Sequence, residues 1–242
     1  MIMKKFMYSL LACVTFFLVF AVNVSAVSYK AGGECGKDLK WSLDYDGNLV
    51  IYGEGEMTNF GFWDYNSKGW GEYSSEIKTV TVEKGVTTLG RSAFESCKNL
   101  TTVKLPTTLK IIESDAFRNC ASLSKINLPK GLEELGAYTF CGCSSLTSIQ
   151  IPSTLTNFGC RGYGQGTFAE SGLTSISIPA NVKKMASYCF ENCPNLTTVN
   201  INGSNLAVEY QAFYNCKNLT TVKMGSGVTS IKSMAFWGCS SL

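Results

Sequence analysis

Histidine is missing from all 242 residues of the sequence. This absence excludes Ser-His-Asp and Cys-His catalysis, and it excludes any zinc site that needs an imidazole ligand. The sequence also lacks a G-x-S-x-G motif and a Walker-type phosphate loop. Carboxylate pairs such as Glu54/Glu56 are present, but such spacing is typical of solvated surface charge. The sequence therefore predicts a protein that is not an enzyme and that holds no metal or cofactor.

A strong charge of either sign is also lacking. The chain has 21 basic and 18 acidic residues, and the first 26 residues contain two lysines and no acid. A chain that starts at residue 27 carries 19 basic and 18 acidic residues. This balance resembles neither a basic nucleic-acid-binding patch nor an acidic tail. We therefore expect no nucleic acid among the partners.

What the sequence does contain is a repeat of about 23 residues. Phenylalanine recurs at steps of 23, 23, 28, 22, 23 and 23, at Phe94, Phe117, Phe140, Phe168, Phe190, Phe213 and Phe236. A cysteine follows three residues after each phenylalanine, except in the fourth copy, where Ser171 takes its place: Cys97, Cys120, Cys143, Cys193, Cys216 and Cys239. A fixed period of this length is typical of a solenoid.

Each repeat has two apolar pairs that predict its local structure. The first pair alternates, as in Val103-x-Leu105, which predicts a half-buried strand. The second pair, as in Leu109/Ile112, leads into the Phe-x-x-Cys segment, for which we predict a short helical or 3₁₀ turn. The predicted fold is a mainly β solenoid, a stack of about seven rungs of 22–28 residues, each with a strand, a turn and a short helical turn.

The pattern A-F-x-x-C-x-x-L-x-x-V-x-L-P-x-x-L-x-x-I resembles the BspA-like leucine-rich repeat family of cell-surface and secreted proteins. The resemblance covers Ile77 to Leu242, about two thirds of the chain. It implies a leucine-rich-repeat-type solenoid that works in adhesion or recognition, and it implies no catalytic residue.

Residues 1–26 predict a secretory signal peptide. Lys4 and Lys5 precede an apolar run over residues 6–22, and the small residues before position 27 suit cleavage after Ala26. Two alternatives stay open: a lipoprotein site at Cys13, and a retained membrane anchor, for which the apolar run is short. We expect the cleaved protein to be secreted or at the cell surface, with no stable membrane span.

Residues 27–75 predict an N-terminal cap. Two alternating strands over residues 41–52 are joined at Asp46-Gly47, which is a strong hairpin signal. A solenoid needs such a cap to cover its first rung. The alternative is a carbohydrate-binding patch in which Trp63 and Trp70 stack on sugar rings.

Residues 76–242 contain the repeats, and the fourth repeat has a glycine-rich insertion at residues 159–166. Insertions of this kind form loops, often on a binding face, so Arg161 and Tyr163 are candidate contact residues. The alternative is an inert surface loop. The last residue, Leu242, precedes the position of another strand, which predicts a chain truncated before an anchor, an enzyme domain or more repeats.

Cysteine is abundant, with 11 residues in total. The six that follow the phenylalanines recur where a core residue belongs, so we predict a ladder of buried, reduced thiols. Export favours the alternative, oxidation to disulfides. Outside the ladder, Cys141 and Cys160 are the best candidates for a disulfide, because one lies on a rung and the other on the adjacent loop.

The outward positions of the predicted strands form one polar row, here called the front stripe: Thr81, Lys104, Asn127, Gln150, Ser177, Asn200 and Lys223. Solenoids use such surfaces for binding, so the stripe predicts a site for an extracellular protein of a host or neighbouring cell. A solvated sheet face is the alternative. Two other functions stay open: the non-catalytic repeat portion of a larger exported enzyme that acts on cell walls or glycans, and glycan binding by the aromatic N-terminal segment.

Overall fold

The computed structural model of the protein describes residues 28–61, 69–159 and 166–242. Over these residues the chain forms seventeen β-strands and one short 3₁₀ helix, Gly71–Tyr73. The strands are β1 (Tyr29–Glu34), β2 (Leu39–Asp44), β3 (Asn48–Gly53), β4 (Gly55–Glu56), β5 (Thr79–Val82), β6 (Val86–Leu89), β7 (Thr102–Lys104), β8 (Ile111–Ile112), β9 (Lys125–Ile126), β10 (Glu134–Leu135), β11 (Asn157–Phe158), β12 (Ser175–Ile178), β13 (Lys184–Met185), β14 (Thr198–Ile201), β15 (Leu206–Val208), β16 (Thr221–Met224) and β17 (Val228–Ile231). Within the same ranges, no helix is long and apolar enough to cross a membrane.

The strands lie on two faces of a solenoid. The front face consists of a sheet of order β1-β2-β3-β5-β7-β9 and a sheet of order β12-β14-β16. The back face consists of the sheets β13-β11-β10-β8-β6-β4 and β15-β17. Strands of successive rungs are parallel and in register, so that Val80 lies opposite Val103 and Val199 opposite Val222. The predicted mainly β solenoid is therefore confirmed.

The N-terminal hairpin continues the front face. Strands β2 and β3 pair in antiparallel fashion, with Trp41 opposite Ile51, and β3 pairs in parallel with β5. In the turn, the Asp44 carboxylate accepts hydrogen bonds from the backbone N–H groups of Asp46 and Asn48, and Gly47 has a φ of +89°. The predicted hairpin cap is confirmed, because these strands cover the apolar edge of the first rung.

The repeated phenylalanines form the centre of the core. Each of the rings from Phe94 to Phe213 is fully buried, and Phe236 packs partly buried against the core. Successive rings are stacked nearly parallel, with centroids 5.1–5.6 Å apart. Seven rings in one column mean that the solenoid completes about six turns from Phe94 to Phe236, close to the predicted number of rungs.

The segment around each phenylalanine differs in one detail from the prediction. It is a turn and not a helical or 3₁₀ turn. The residues two before and two after the phenylalanine have positive φ in every rung; around Phe94 they are Ser92 (53°) and Ser96 (60°). The N–H groups of residues 92, 94 and 96 donate to the carbonyls of residues 114, 116 and 118 on the next rung. A helix would use these N–H groups within its own turns, so the left-handed residues redirect them into bonds between rungs.

The front face is interrupted at the rung of Phe168. Strand β9 ends one sheet and β12 begins the next, while residues 148–151 between them belong to no strand. On the back face the same rungs stay paired, with Leu135 opposite Phe158 and Phe158 opposite Met185. Residues 148–151 therefore lack regular strand pairing on the front face. Their rung stays bonded to both neighbouring rungs, because the Ser145 N–H donates to the Ala121 carbonyl and the Thr174 N–H donates to the Thr147 carbonyl, both at 3.1 Å.

Candidate functional site

The front stripe lies on the outer surface of the front face. Lys104, Asn127, Gln150, Ser177 and Lys223 are exposed, and Thr81 and Asn200 are half-buried. Strand pairing aligns Thr81 with Lys104 in one sheet, and Ser177, Asn200 and Lys223 in the other. The interruption at residues 148–151 divides the stripe, so that Asn127 and Gln150 lie at the gap between the two sheets.

A second outward row lies beside the front stripe, two residues earlier in each rung. It consists of Thr79, Thr102, Lys125, Ser148, Ser175, Thr198 and Thr221, each exposed or half-buried. The front stripe contains only the residue between the two apolar positions of each strand, and the second row lies one step outside that pair. Extending the period-2 alternation by one step towards the N-terminus would have found it.

The two rows together carry basic and neutral polar groups. Of their fourteen residues, three are lysines (Lys104, Lys125 and Lys223), none is acidic, and the rest are threonine, serine, asparagine and glutamine. The ion pairs found in the described ranges are Lys30–Glu76, Lys110–Glu133 and Arg118–Asp115, and none of them uses a front-face lysine of these rows. The three ammonium groups therefore face solvent in rows that contain no acidic residue.

The hairpin end of the front face has a different charge pattern. An open groove of about 770 Å³ lies there, lined among others by Glu34, Lys40, Tyr52 and Glu83. Acidic and basic groups both line this groove, and Tyr52 offers a partly exposed aromatic ring. The two outward rows that lack acids begin at Thr79 and Thr81 of β5, beside this groove of mixed charge.

Trp70, one of the two candidate sugar-binding tryptophans, lies in the core. Its side chain is fully buried, and its indole N–H donates to the carbonyl of Ala93 at 2.9 Å. Its ring offers no face to a ligand, and the prediction that it stacks on a sugar does not fit this position. The other candidate, Trp63, lies outside the described residues.

The candidate contact residues of the insertion, Arg161 and Tyr163, also lie outside the described residues. The same holds for Cys160, which we predict to pair with Cys141. Cys141 itself is buried on the rung of Phe140. The disulfide and the contact role of the loop therefore stay predictions.

The ladder cysteines are thiols packed inside the solenoid. Among the residues that the structure describes, the six ladder cysteines are free of disulfides, and five of them are buried. Four thiols donate to the carbonyl of the phenylalanine on the preceding rung at 3.0–3.2 Å, as Cys143 does to Phe117, and Cys239 does the same at 3.1 Å. Burial raises the pKa of the Cys143 thiol. A buried, protonated thiol such as that of Cys143 is a poor nucleophile and a poor metal ligand, so this position has a structural role.

The comparison with protein families assigns the repeats. The family model described as BspA type leucine rich repeat region matches residues 72–163 and 163–242, in six copies. The chain belongs to this family. Its repeats account for the phenylalanine, cysteine and strand columns described above, and stacked repeats of this class present extended surfaces for binding. The search of curated proteins found no match to this sequence.

Solved structures support the same fold for this BspA-type repeat protein. A leucine rich cell surface protein from Faecalibacterium prausnitzii is 17% identical, with 90% of this chain and 88% of that chain covered and a TM-score of 0.53. The leucine rich repeat protein TpLRR from T. pallidum is 22% identical, with 87% of this chain and 91% of that chain covered and a TM-score of 0.53. At these identities the likeness concerns the fold alone.

Proposed function

We propose that this BspA-type protein is an exported, non-catalytic protein that binds a surface protein of a host or neighbouring cell through its front face. The absence of acidic residues from the two outward rows, which contain three lysines, is the observation that carries the proposal. Such a surface favours partners with exposed acidic groups and speeds their association.

Export is part of the proposal. The lysines at positions 4 and 5, the apolar run over residues 6–22 and the small residues up to Ala26 support secretion. The F. prausnitzii protein of similar fold is a leucine rich cell surface protein, which is consistent with that location.

The binding of purified, fluorescently labelled protein to intact bacterial and epithelial cells tests this proposal. We expect binding to saturate and to disappear after mild protease treatment of the cells, because the proposed partner is a protein. The double variant Lys104→Glu/Lys223→Glu should bind at least tenfold more weakly, because it places two negative charges among the front-face lysines.

The matched control is Lys183→Glu/Lys184→Glu. Both residues are exposed at the start of β13 on the back face, and the net charge changes by the same amount. The control should bind as tightly as the original protein, and circular dichroism should show that all three proteins fold. If the two double variants bind cells equally well, the front face is not the surface that binds the partner. Binding that resists protease and is lost after glycosidase treatment would point to a glycan.

A further inference from the structure

The interruption of the front face leaves backbone groups without partners. Within the ranges that the structure describes, no backbone hydrogen bond joins residues 148–151 to β9 on one side or to β12 on the other. The regular strand β14, by contrast, is paired with both of its neighbours over four residues. Residues 148–151 therefore present both unpaired N–H donors and unpaired C=O acceptors, which normally require a partner.

An open groove lies at this interruption. It has a volume of about 380 Å³ and is lined by Ser124, Lys125, Asn127, Ser148 and Gln150 together with the flanking isoleucines. Lys125, Asn127, Ser148 and Gln150 are exposed. The groove therefore combines one ammonium group, two amides and two hydroxyls with the free backbone groups beside them.

We propose that this groove, here called the sheet gap, binds an extended acidic segment of the partner protein along its open surface. This inference rests on the proposed function and locates its contact point on the front face. In the sheet gap, a carboxylate of the bound segment pairs with the Lys125 ammonium group and accepts hydrogen bonds from the Asn127 or Gln150 amide. The backbone of the segment bonds to the free N–H and C=O groups of residues 148–151.

The chemistry of the sheet gap favours a peptide over an anionic polysaccharide. The unpaired backbone offers donors and acceptors side by side, and an extended peptide backbone supplies the complementary groups. A sulfated or carboxylated polysaccharide relies on a cluster of basic groups, whereas the sheet gap is lined by one lysine. The neutral amides and hydroxyls suit a neutral backbone with an occasional carboxylate.

Binding of a synthetic peptide tests the inference directly. The probe is a twelve-residue peptide of alternating glutamate and valine, and its counterpart has glutamine in place of each glutamate. NMR spectra of the full chain should show the largest amide shifts at residues 125–127 and 148–151. The Lys125→Glu variant should bind the glutamate peptide at least tenfold more weakly, and the glutamine peptide should bind weakly to both proteins.

Lys130→Glu is the matched control for Lys125→Glu. Lys130 is exposed on the same rung but does not line the groove. This control should bind the glutamate peptide as tightly as the original protein. The inference would be overturned by any of three results. These are amide shifts outside the sheet gap, equal affinity for the glutamate and glutamine peptides, or a Lys125→Glu variant that binds the glutamate peptide as tightly as the original protein.

The cell-binding assay separates this inference from the proposed function. If Lys104→Glu/Lys223→Glu weakens cell binding while Lys125→Glu does not, the front face binds but the sheet gap is not the contact point. If the peptide binds at the sheet gap while cells bind nothing, the site stands and the proposed cell-surface function falls.

Discussion

The indole of Trp70 lies against the ring of Phe94, with the centroids 5.7 Å apart and the planes 19° from parallel. Trp41 and Phe60 pack edge-on against the same indole at 5.6 and 5.3 Å. Trp70 therefore occupies the place of a phenylalanine at the start of the ring column. Its role is to join the hairpin cap to the first rung of the solenoid.

Removing the Trp70 ring should destabilise the protein strongly. Trp70→Ala should lower the free energy of unfolding by about 3–5 kcal/mol, because it leaves a cavity at the head of the column. Trp70→Phe keeps the stacking but loses the hydrogen bond to Ala93, and should cost about 1–3 kcal/mol. Urea denaturation measures both values. Losses below about 0.5 kcal/mol, the usual value for a surface residue, would contradict the core role.

Phe117 tests the middle of the column. Its ring lies between Phe94 and Phe140, at 5.4 and 5.5 Å, and is fully buried. Phe117→Ala should cost about 3–5 kcal/mol in denaturant unfolding. The exposed Lys98→Ala serves as the control and should change stability by at most about 0.5 kcal/mol. A loss of less than about 1 kcal/mol for Phe117→Ala would show that the register of the rungs is wrong.

The thiol of Cys143 should make stability depend on alkaline pH. Burial raises its pKa above the usual 9.0 in the folded protein. Above pH 9 the unfolded chain loses this proton while the folded protein keeps it, so the contribution to stability is present at neutral pH and is lost as pH rises.

The variant Cys143→Ser removes this contribution and should still fold, because Ser171 occupies the same position in the fourth repeat. The difference in unfolding free energy between the original protein and Cys143→Ser should shift by about 1.4 kcal/mol against the original protein between pH 8 and pH 10. A difference that stays constant over this range would show that the thiol ionises equally in both states.

The interrupted strand should be visible in hydrogen exchange. The amides of Ile149 and Ile151 have no backbone partner within the described residues, whereas Val199 and Ile201 lie in β14 between two paired strands. We expect the first two amides to exchange at least tenfold faster, because they need no opening of the sheet. Equal protection of the two pairs would mean that the front face is continuous in solution.

The repetition of short-range patterns explains how much of the fold was predictable. Alternating residues such as Val103 and Leu105 identify a strand, and the phenylalanine spacing identifies one core position per rung. Every rung repeats the same local signals, so errors in one repeat are corrected by the others. The Asp46-Gly47 turn was predictable for the same local reason.

The candidate site was predictable only in part. The alternation predicted the front stripe, and its extension by one step would have included Lys125. The sheet gap was not predictable, because hydrogen bonds between rungs join residues more than 20 positions apart and depend on how the irregular fourth repeat stacks.

The sequence by itself determined the class of fold and the family, because period, alternation and ring spacing are local properties repeated seven times. The tertiary structure decided three matters that local patterns do not contain. It placed Trp70 in the ring column, it turned the Phe-x-x-Cys segments into hydrogen-bonded links between rungs, and it left residues 148–151 outside the paired strands of the front face. Each depends on contacts between neighbouring rungs, and these form only when the whole stack is assembled.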